Sequence, residues 1–97
     1  MPHYRVLMNG RNFWLRNEDK QERMGFYTTR FLEAKNAEAA ELAAIELLRV
    51  DDQLKPLNDR RDPPRVFVDE IEEIDPAKVP LVVRGFTFFP DNEAENN

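Results

Sequence analysis

The sequence predicts an α+β fold, in which one helix packs on one face of a mainly antiparallel five-stranded sheet in the order β-β-β-α-β-β. Three observations predict it. The N-terminal third alternates apolar and polar residues, a single stretch after residue 36 has a helical period, and two more alternating stretches follow it. At 97 residues the chain is long enough for one domain, assigned to residues 1–90. The acidic tail, residues 91–97, is expected to be disordered.

The first two predicted strands form a hairpin. Asn9-Gly10 is the pair best suited to the positive φ angles of a two-residue type I′ turn. A turn there gives the hairpin two distinct faces. One face, the predicted core face, carries Tyr4, Val6, Met8, Phe13 and Leu15, and the other carries Arg5, Leu7, Trp14 and Arg16.

The third predicted strand covers Met24 to Ala34, after a polar stretch at residues 17–23 that is expected to be a loop. Its alternation is imperfect, because Phe26 and Leu32 fall on one side of the strand while Tyr27 and Phe31 fall on the other. Either both faces of this strand are partly covered, or a bulge shifts its register.

The helix is predicted to begin after Asn36, a favourable N-cap, and to end before Pro56. Leu42 and Ile45 fall within its charged half, where a pair of apolar residues forms a candidate interface stripe. Asp51 falls within its apolar half, and Lys55 is its expected partner.

The last two strands are predicted at residues 65–74 and 81–89, after a proline-containing connection at residues 55–64. The densest acidic cluster lies on and just after the first of them and comprises Glu70, Glu72, Glu73 and Asp75. Paired carboxylates can hold a cation or act as acid and base. Charge on an edge strand that prevents aggregation is the favoured interpretation.

Composition excludes several kinds of chemistry. The chain has no Cys and no Ser, which removes disulfides, zinc-thiolate sites and serine or cysteine nucleophiles. His3 is the only histidine, and the three glycines are too far apart for a phosphate-binding loop. We therefore expect no enzymatic activity, no cofactor and no metal site.

Location and charge follow from the same composition. No apolar run approaches the roughly 18 residues of a membrane span, so a cytoplasmic protein without membrane contact is expected. Residues 1–35 carry seven Lys/Arg against four Asp/Glu, whereas residues 36–97 carry seven against fifteen. Such asymmetry is typical of an anion-binding face beside an acidic scaffold, of two ends that attract each other in a dimer, or simply of an unevenly charged solvated surface.

The candidate binding surface combines Arg5, Trp14 and Arg16 of the hairpin with Tyr27 and Arg30 of the third strand. Trp, Tyr and Arg are enriched at protein contacts, which predicts a homodimer or a small protein partner. The same residue types stack on nucleobases and hold phosphates, so weak binding of single-stranded nucleic acid, RNA in particular, is the alternative. The net charge of −5 makes nucleic acid the less favoured partner.

One family resemblance is visible in the order of elements. A hairpin, a third strand and a helix with the repeat Ala37-Glu38-Ala39-Ala40-Glu41-Leu42-Ala43 resemble the small antitoxin domains of the HicB type over roughly residues 3–70. The chain lacks the glycine-bearing segment between strand and helix and an appended DNA-binding region. The resemblance implies an antitoxin-like domain that neutralises a protein partner, and it transfers no residue roles.

Overall fold

The computed structural model describes residues 1–81 and 85–91. The strands are β1 (His3–Asn17), β2 (Lys20–Glu33), β3 (Arg65–Ile74) and β4 (Thr87–Pro90), and the helix is α1 (Ala37–Arg49). A single 3₁₀ turn (Pro76–Lys78) follows β3. The sheet order is β3-β1-β2-β4, and each neighbouring pair is antiparallel. The α+β class with one helix and an antiparallel sheet is confirmed for the described residues, but the sheet has four strands rather than five.

The difference arises at Asn9-Gly10, where the predicted hairpin turn is absent. β1 runs straight through this pair, with Asn9 opposite Tyr27 and Gly10 opposite Phe26. A Cβ atom at Gly10 would lie 2.1 Å from Cε2 of Phe26. Glycine is needed here because an aromatic ring crosses the strand, and not because the chain reverses.

The chain reverses instead at Glu18 and Asp19, between Asn17 and Lys20, where Glu18 has a φ of 57°. The polar stretch predicted as a loop is thus the turn together with the ends of two long strands. Hydrogen bonding to the opposite strand maintains these polar ends as strands although they have no apolar alternation. The strand predicted over Met24 to Ala34 corresponds to the part of β2 from Met24 to its end at Glu33.

The predicted core face is nevertheless confirmed. A bulge in β1 places the residues that follow it on the same side of the sheet as the predicted turn would have placed them. The register shifts by one residue between Gly10 and Phe13, and Asn12 has a φ of 61°. The Asn12 backbone N–H donates to Asp91 Oδ2 at 2.7 Å, and its side-chain amide donates to Asp62 Oδ1 at 2.8 Å. The extra residue returns Phe13 to the side of the sheet that α1 covers.

The helix begins as predicted, since the Asn36 side chain accepts a hydrogen bond from the Ala39 N–H at 2.8 Å. It ends at Arg49, earlier than Pro56 requires, and buries Ala40, Ala44 and Leu48 against the sheet. The small alanines let the helix approach the strands closely. Buried hydrophobic residues come from β1, β2, α1 and the segments that flank it: Tyr4, Val6, Met8, Phe13, Phe26, Ala34, Ala40, Ala44, Leu48 and Leu54.

At the C-terminal end, β4 pairs with residues Met24 to Tyr27 of β2. Residues 82–84 of the predicted last strand and residues 92–97 of the predicted tail lie outside the described residues. Asp91, the first residue of that tail, is 3% exposed and donates its backbone N–H to the Arg23 carbonyl at 3.0 Å.

Candidate functional site

Strand alternation divides the sheet into a helix face, which α1 covers, and an open face on the opposite side. The pairing registers determine which side chains share the open face. The open-face residues, from β3 across β1 and β2 to β4, are Arg65, Phe67, Asp69, Glu70, Glu72, Ile74, His3, Arg5, Leu7, Asn9, Arg11, Trp14, Arg16, Arg23, Tyr27, Thr29, Phe31, Glu33, Thr87 and Phe89. Asp69 lies at the register shift of β3, and its carboxylate accepts from the Asn9 side-chain amide at 2.8 Å.

The centre of the open face is aromatic. Phe67, Asn9 and Tyr27 lie side by side on β3, β1 and β2. The Phe67 and Tyr27 residues are 47% and 49% exposed. The Tyr27 ring lies 5.3 Å from the Phe89 ring, measured between centroids. Large apolar side chains therefore meet solvent at the middle of the sheet rather than at its rim.

The end of the open face nearest the N-terminus is acidic. Arg5 Nη2 contacts Glu70 Oε1 at 2.6 Å, and Arg5 Nε lies 3.7 Å from Glu72 Oε1. At the same end His3 Nε2 lies 3.0 Å from Glu33 Oε1. The single guanidinium is shared between two carboxylates, so this end carries more negative than positive charge.

The opposite end of the open face is basic. Arg65 lies beside Arg11 in the β1–β3 register, and Arg23 pairs with Trp14 in the β1–β2 register. Arg11 lies over the Phe89 ring at 5.3 Å and contacts Asp91 Oδ1 at 3.4 Å. Beyond them Arg16 is exposed near the hairpin turn. Positive charge therefore exceeds negative charge at this end.

Four of the five residues predicted as a binding surface lie on the open face, but they do not form one cluster. Arg5 and Trp14 lie at opposite ends of β1, roughly 26 Å apart for eight strand steps. Tyr27 lies between them, opposite Asn9. The predicted arrangement of Trp14 flanked by Arg5 is replaced by an extended face with separate ends.

The fifth predicted residue, Arg30, lies on the helix face, because residues three apart on a strand point to opposite sides. It pairs with Val6 in the register, and its side chain is only 11% exposed. Its Nη2 atom lies 3.3 Å from Asp51 Oδ2, and its guanidinium stacks on the Phe86 ring at 5.0 Å. Arg30, and not Lys55, is thus the ion-pair partner of Asp51 in the described contacts.

The two residues of the interface stripe predicted on the helix also lie in different environments. Leu42 is 65% exposed, whereas Ile45 packs against the core. Ile45 also borders an apolar cavity of about 350 Å³ between α1, the segment after it and the start of β3. The other residues that line it are Phe13, Leu48, Arg49, Leu54, Pro56, Pro64 and Val66.

The acidic cluster is divided between different environments. Glu70 and Glu72 share the open face, as predicted, but both contact Arg5. Glu73 lies opposite Tyr4, and Asp75 Oδ1 accepts the Ala77 N–H at 2.9 Å to cap the 3₁₀ turn. No group of three or more His, Asp or Glu suited to a metal ion occurs within residues 1–81 and 85–91.

The sequence did not identify Phe67, Arg11 or Arg23 as part of this surface. The signal that could have found them is strand parity. Once the turn is placed at Glu18 and Asp19, Tyr27 lies opposite Asn9, and the open-face members of β2 follow at every second residue.

No protein-family model, curated protein or solved structure matches this chain. The resemblance to HicB-type antitoxins stays an expectation from the order of elements. In the part of the chain that the structure describes, no helix has the length and hydrophobicity needed to cross a membrane.

Proposed function

We propose that this chain is a small protein-binding module that forms a homodimer through the open face of its sheet. The observation that carries the proposal is the exposure of Tyr27 and Phe67 at the centre of that face. Aromatic side chains surrounded by polar residues are typical of protein contact sites. The cysteine-free composition suits the reducing cytoplasm, where we place its function.

The size of the open face supports a stable contact. Strand spacing and rise give the face an area of roughly 700 Å² for strands of these lengths. Two copies in face-to-face contact would bury roughly 1,400 Å², within the range of specific protein interfaces. Sheets that pack face to face in this way form sandwiches about 10 Å apart.

The charged groups support binding rather than catalysis. Glu70 and Glu72 are the carboxylate pair that could have served as acid and base, and they lie on an exposed strand in contact with Arg5. Nucleic acid is less well supported as a partner, since Glu70 and Glu72 engage Arg5 and Asp51 engages Arg30, two of the three arginines of the predicted binding surface. An acidic overall charge also opposes phosphate binding.

Light scattering after size exclusion tests the proposal. The wild-type chain is expected to elute at twice the monomer mass at high micromolar concentration. Phe67→Glu places a charge at the centre of the open face and is expected to yield a monomer. Leu42→Glu is the matched control, because it introduces the same charge at a more exposed apolar residue on the helix and leaves the dimer intact.

Three results would contradict the proposal. A wild-type chain that is monomeric throughout this concentration range removes the homodimer. A Phe67→Glu variant that remains dimeric, with the circular dichroism spectrum of the wild type, removes the open face as the interface. Loss of the dimer in Leu42→Glu would relocate the contact to the helix.

A further inference from the structure

The charges on the open face are separated along the strand direction, and this separation restricts how two copies can face each other. The acidic end carries Glu33, Glu70 and Glu72 against Arg5. The basic end carries Arg11, Arg16, Arg23 and Arg65, with Asp91 in contact with Arg11. The aromatic centre, Phe67 and Tyr27, lies between the two ends, and the Asp69 carboxylate beside it accepts from the Asn9 amide.

Two symmetric arrangements bring the open faces of aligned sheets together. A two-fold axis parallel to the strands places each end against the same end of the partner, so arginines meet arginines. A two-fold axis perpendicular to the strands, in the plane between the sheets, places each end against the opposite end. Only the second arrangement brings unlike charges together, and like charges across an interface are unfavourable.

We infer that the partner of the open face is a second copy in the antiparallel arrangement, with the acidic end of each sheet facing the basic end of the other. This inference rests on the proposed function. The aromatic centre lies near the two-fold axis, so the aromatic residues of the two copies meet across the interface. Along β3, the Arg65 end of one chain faces the Glu70 and Glu72 end of the other.

The arrangement explains why the face carries exposed arginines without a requirement for nucleic acid. In the register, Arg65 is adjacent to Arg11, another cation, and not to a carboxylate. Asp91 compensates Arg11 within the chain, and in the antiparallel dimer the partner's carboxylates compensate Arg65. Such rim charges contribute more to orientation than to affinity, and salt screens them with a Debye length of about 10 Å at 0.1 M.

A charge-swap experiment tests this arrangement. Arg65→Glu alone places like charges at both symmetric contacts, and so does Glu72→Arg alone. Each is expected to weaken the dimer roughly tenfold at low salt, as measured by sedimentation equilibrium. Glu72 is chosen because its replacement leaves the shorter Arg5–Glu70 contact in place. An equimolar mixture of the two variants restores unlike charges at both contacts and is expected to recover wild-type association.

The outcomes distinguish this inference from the proposed function. Recovery in the mixture, and in the double variant Arg65→Glu/Glu72→Arg, supports the antiparallel arrangement. A wild-type dimer that Phe67→Glu abolishes, but whose charge variants show no weakening or no recovery, overturns the arrangement and leaves the open face as the interface. A monomeric wild-type chain overturns both the arrangement and the proposed function.

Circular dichroism on each variant verifies the fold. A misfolded variant is replaced by Arg65→Gln or Glu72→Gln, each of which is expected to weaken association by a smaller factor than the charge reversal does. Unchanged association in these neutral variants also overturns the arrangement.

Discussion

Phe26 and Tyr27 are adjacent on β2 and meet opposite environments. Phe26 is completely buried on the helix face, where its ring makes edge contacts with Phe13, Phe86 and Phe88 at 5.0–6.0 Å. Tyr27 lies on the open face and is 49% exposed. Since both are large aromatic residues, side-chain chemistry does not separate them. Position relative to the helix does, which indicates that one face maintains the fold while the other meets solvent.

The largest expected effect on stability distinguishes Phe26 from Tyr27. Phe26→Ala removes a fully enclosed ring and is expected to lower the free energy of unfolding by about 3–5 kcal/mol. Tyr27→Ala is expected to lower it by less than about 1 kcal/mol, since the ring already meets solvent. Urea unfolding at a concentration where the chain is monomeric measures both values. Similar losses in the two variants would remove the distinction between the faces.

The two strand glycines give a second comparison, because each lies beneath a ring on a different face. A Cβ at Gly10 would lie 2.1 Å from the Phe26 ring, and a Cβ at Gly25 would lie 2.5 Å from the Phe89 ring. Phe26 is enclosed, whereas Phe89 lies on the short strand β4. Gly10→Ala is expected to cost about 3 kcal/mol and Gly25→Ala about 1 kcal/mol. Thermal unfolding checks the order, and a larger loss for Gly25→Ala would contradict it.

Two arginines extend the comparison to charged groups. Arg30 on the helix face is 11% exposed and donates to Thr28 Oγ1 at 2.6 Å as well as contacting Asp51. Its replacement by Ala is expected to cost about 2 kcal/mol, since it leaves partly buried partners unsatisfied. Arg5→Ala on the open face is expected to cost within about 1 kcal/mol, because its pairs are solvent-exposed. Chemical denaturation of the monomer measures both, and equal costs would indicate that the open face is also structural.

The smallest effect belongs to the outer surface of α1, which takes part in neither face of the sheet. The hydrogen bonds that Arg49 donates to Glu46, at 2.8 and 2.9 Å, hold the pKa of the Glu46 carboxyl below its ordinary value, and charge attraction adds to them. Because this pKa is lower in the folded chain than in the unfolded chain, the ionised Glu46 carboxylate stabilises the fold at pH values above the pKa of the unfolded state. The stabilisation is lost as the pH falls through the pKa of the folded state. An NMR titration of Glu46 checks the direction. Arg49→Gln is expected to return the pKa toward its ordinary value, and an unchanged pKa would contradict the pair.

The sequence was sufficient to predict the class of the fold and the composition of the β1 core face. Local signals such as Asn36 at the helix start act within a few residues, so they are readable without the rest of the chain. The alternation of Tyr4, Val6 and Met8 is similarly local. These predictions are confirmed because no distant contact competes with them.

The strand count was wrong because Asn9-Gly10 carries a turn signal that a distant residue overrides. The Phe26 ring requires glycine at position 10, sixteen residues away along the chain, and pattern analysis does not reveal such a contact. The candidate surface was affected by the same error. Arg30 and Tyr27 are three residues apart on one strand and therefore lie on opposite faces. With the turn predicted at the wrong position, the residues that pair with β2 could not be predicted either.

Chemical cross-linking tests the central claim most directly, and the cysteine-free sequence makes it specific. A single Phe67→Cys substitution, treated with a short bis-maleimide reagent at micromolar protein concentration, is expected to yield a covalent dimer. Leu42→Cys, a more exposed position on the helix, is expected to yield no covalent dimer under the same conditions. Equal cross-linking at the two positions, or none at Phe67→Cys when the chain retains its native circular dichroism, would contradict an interface on the open face of the sheet.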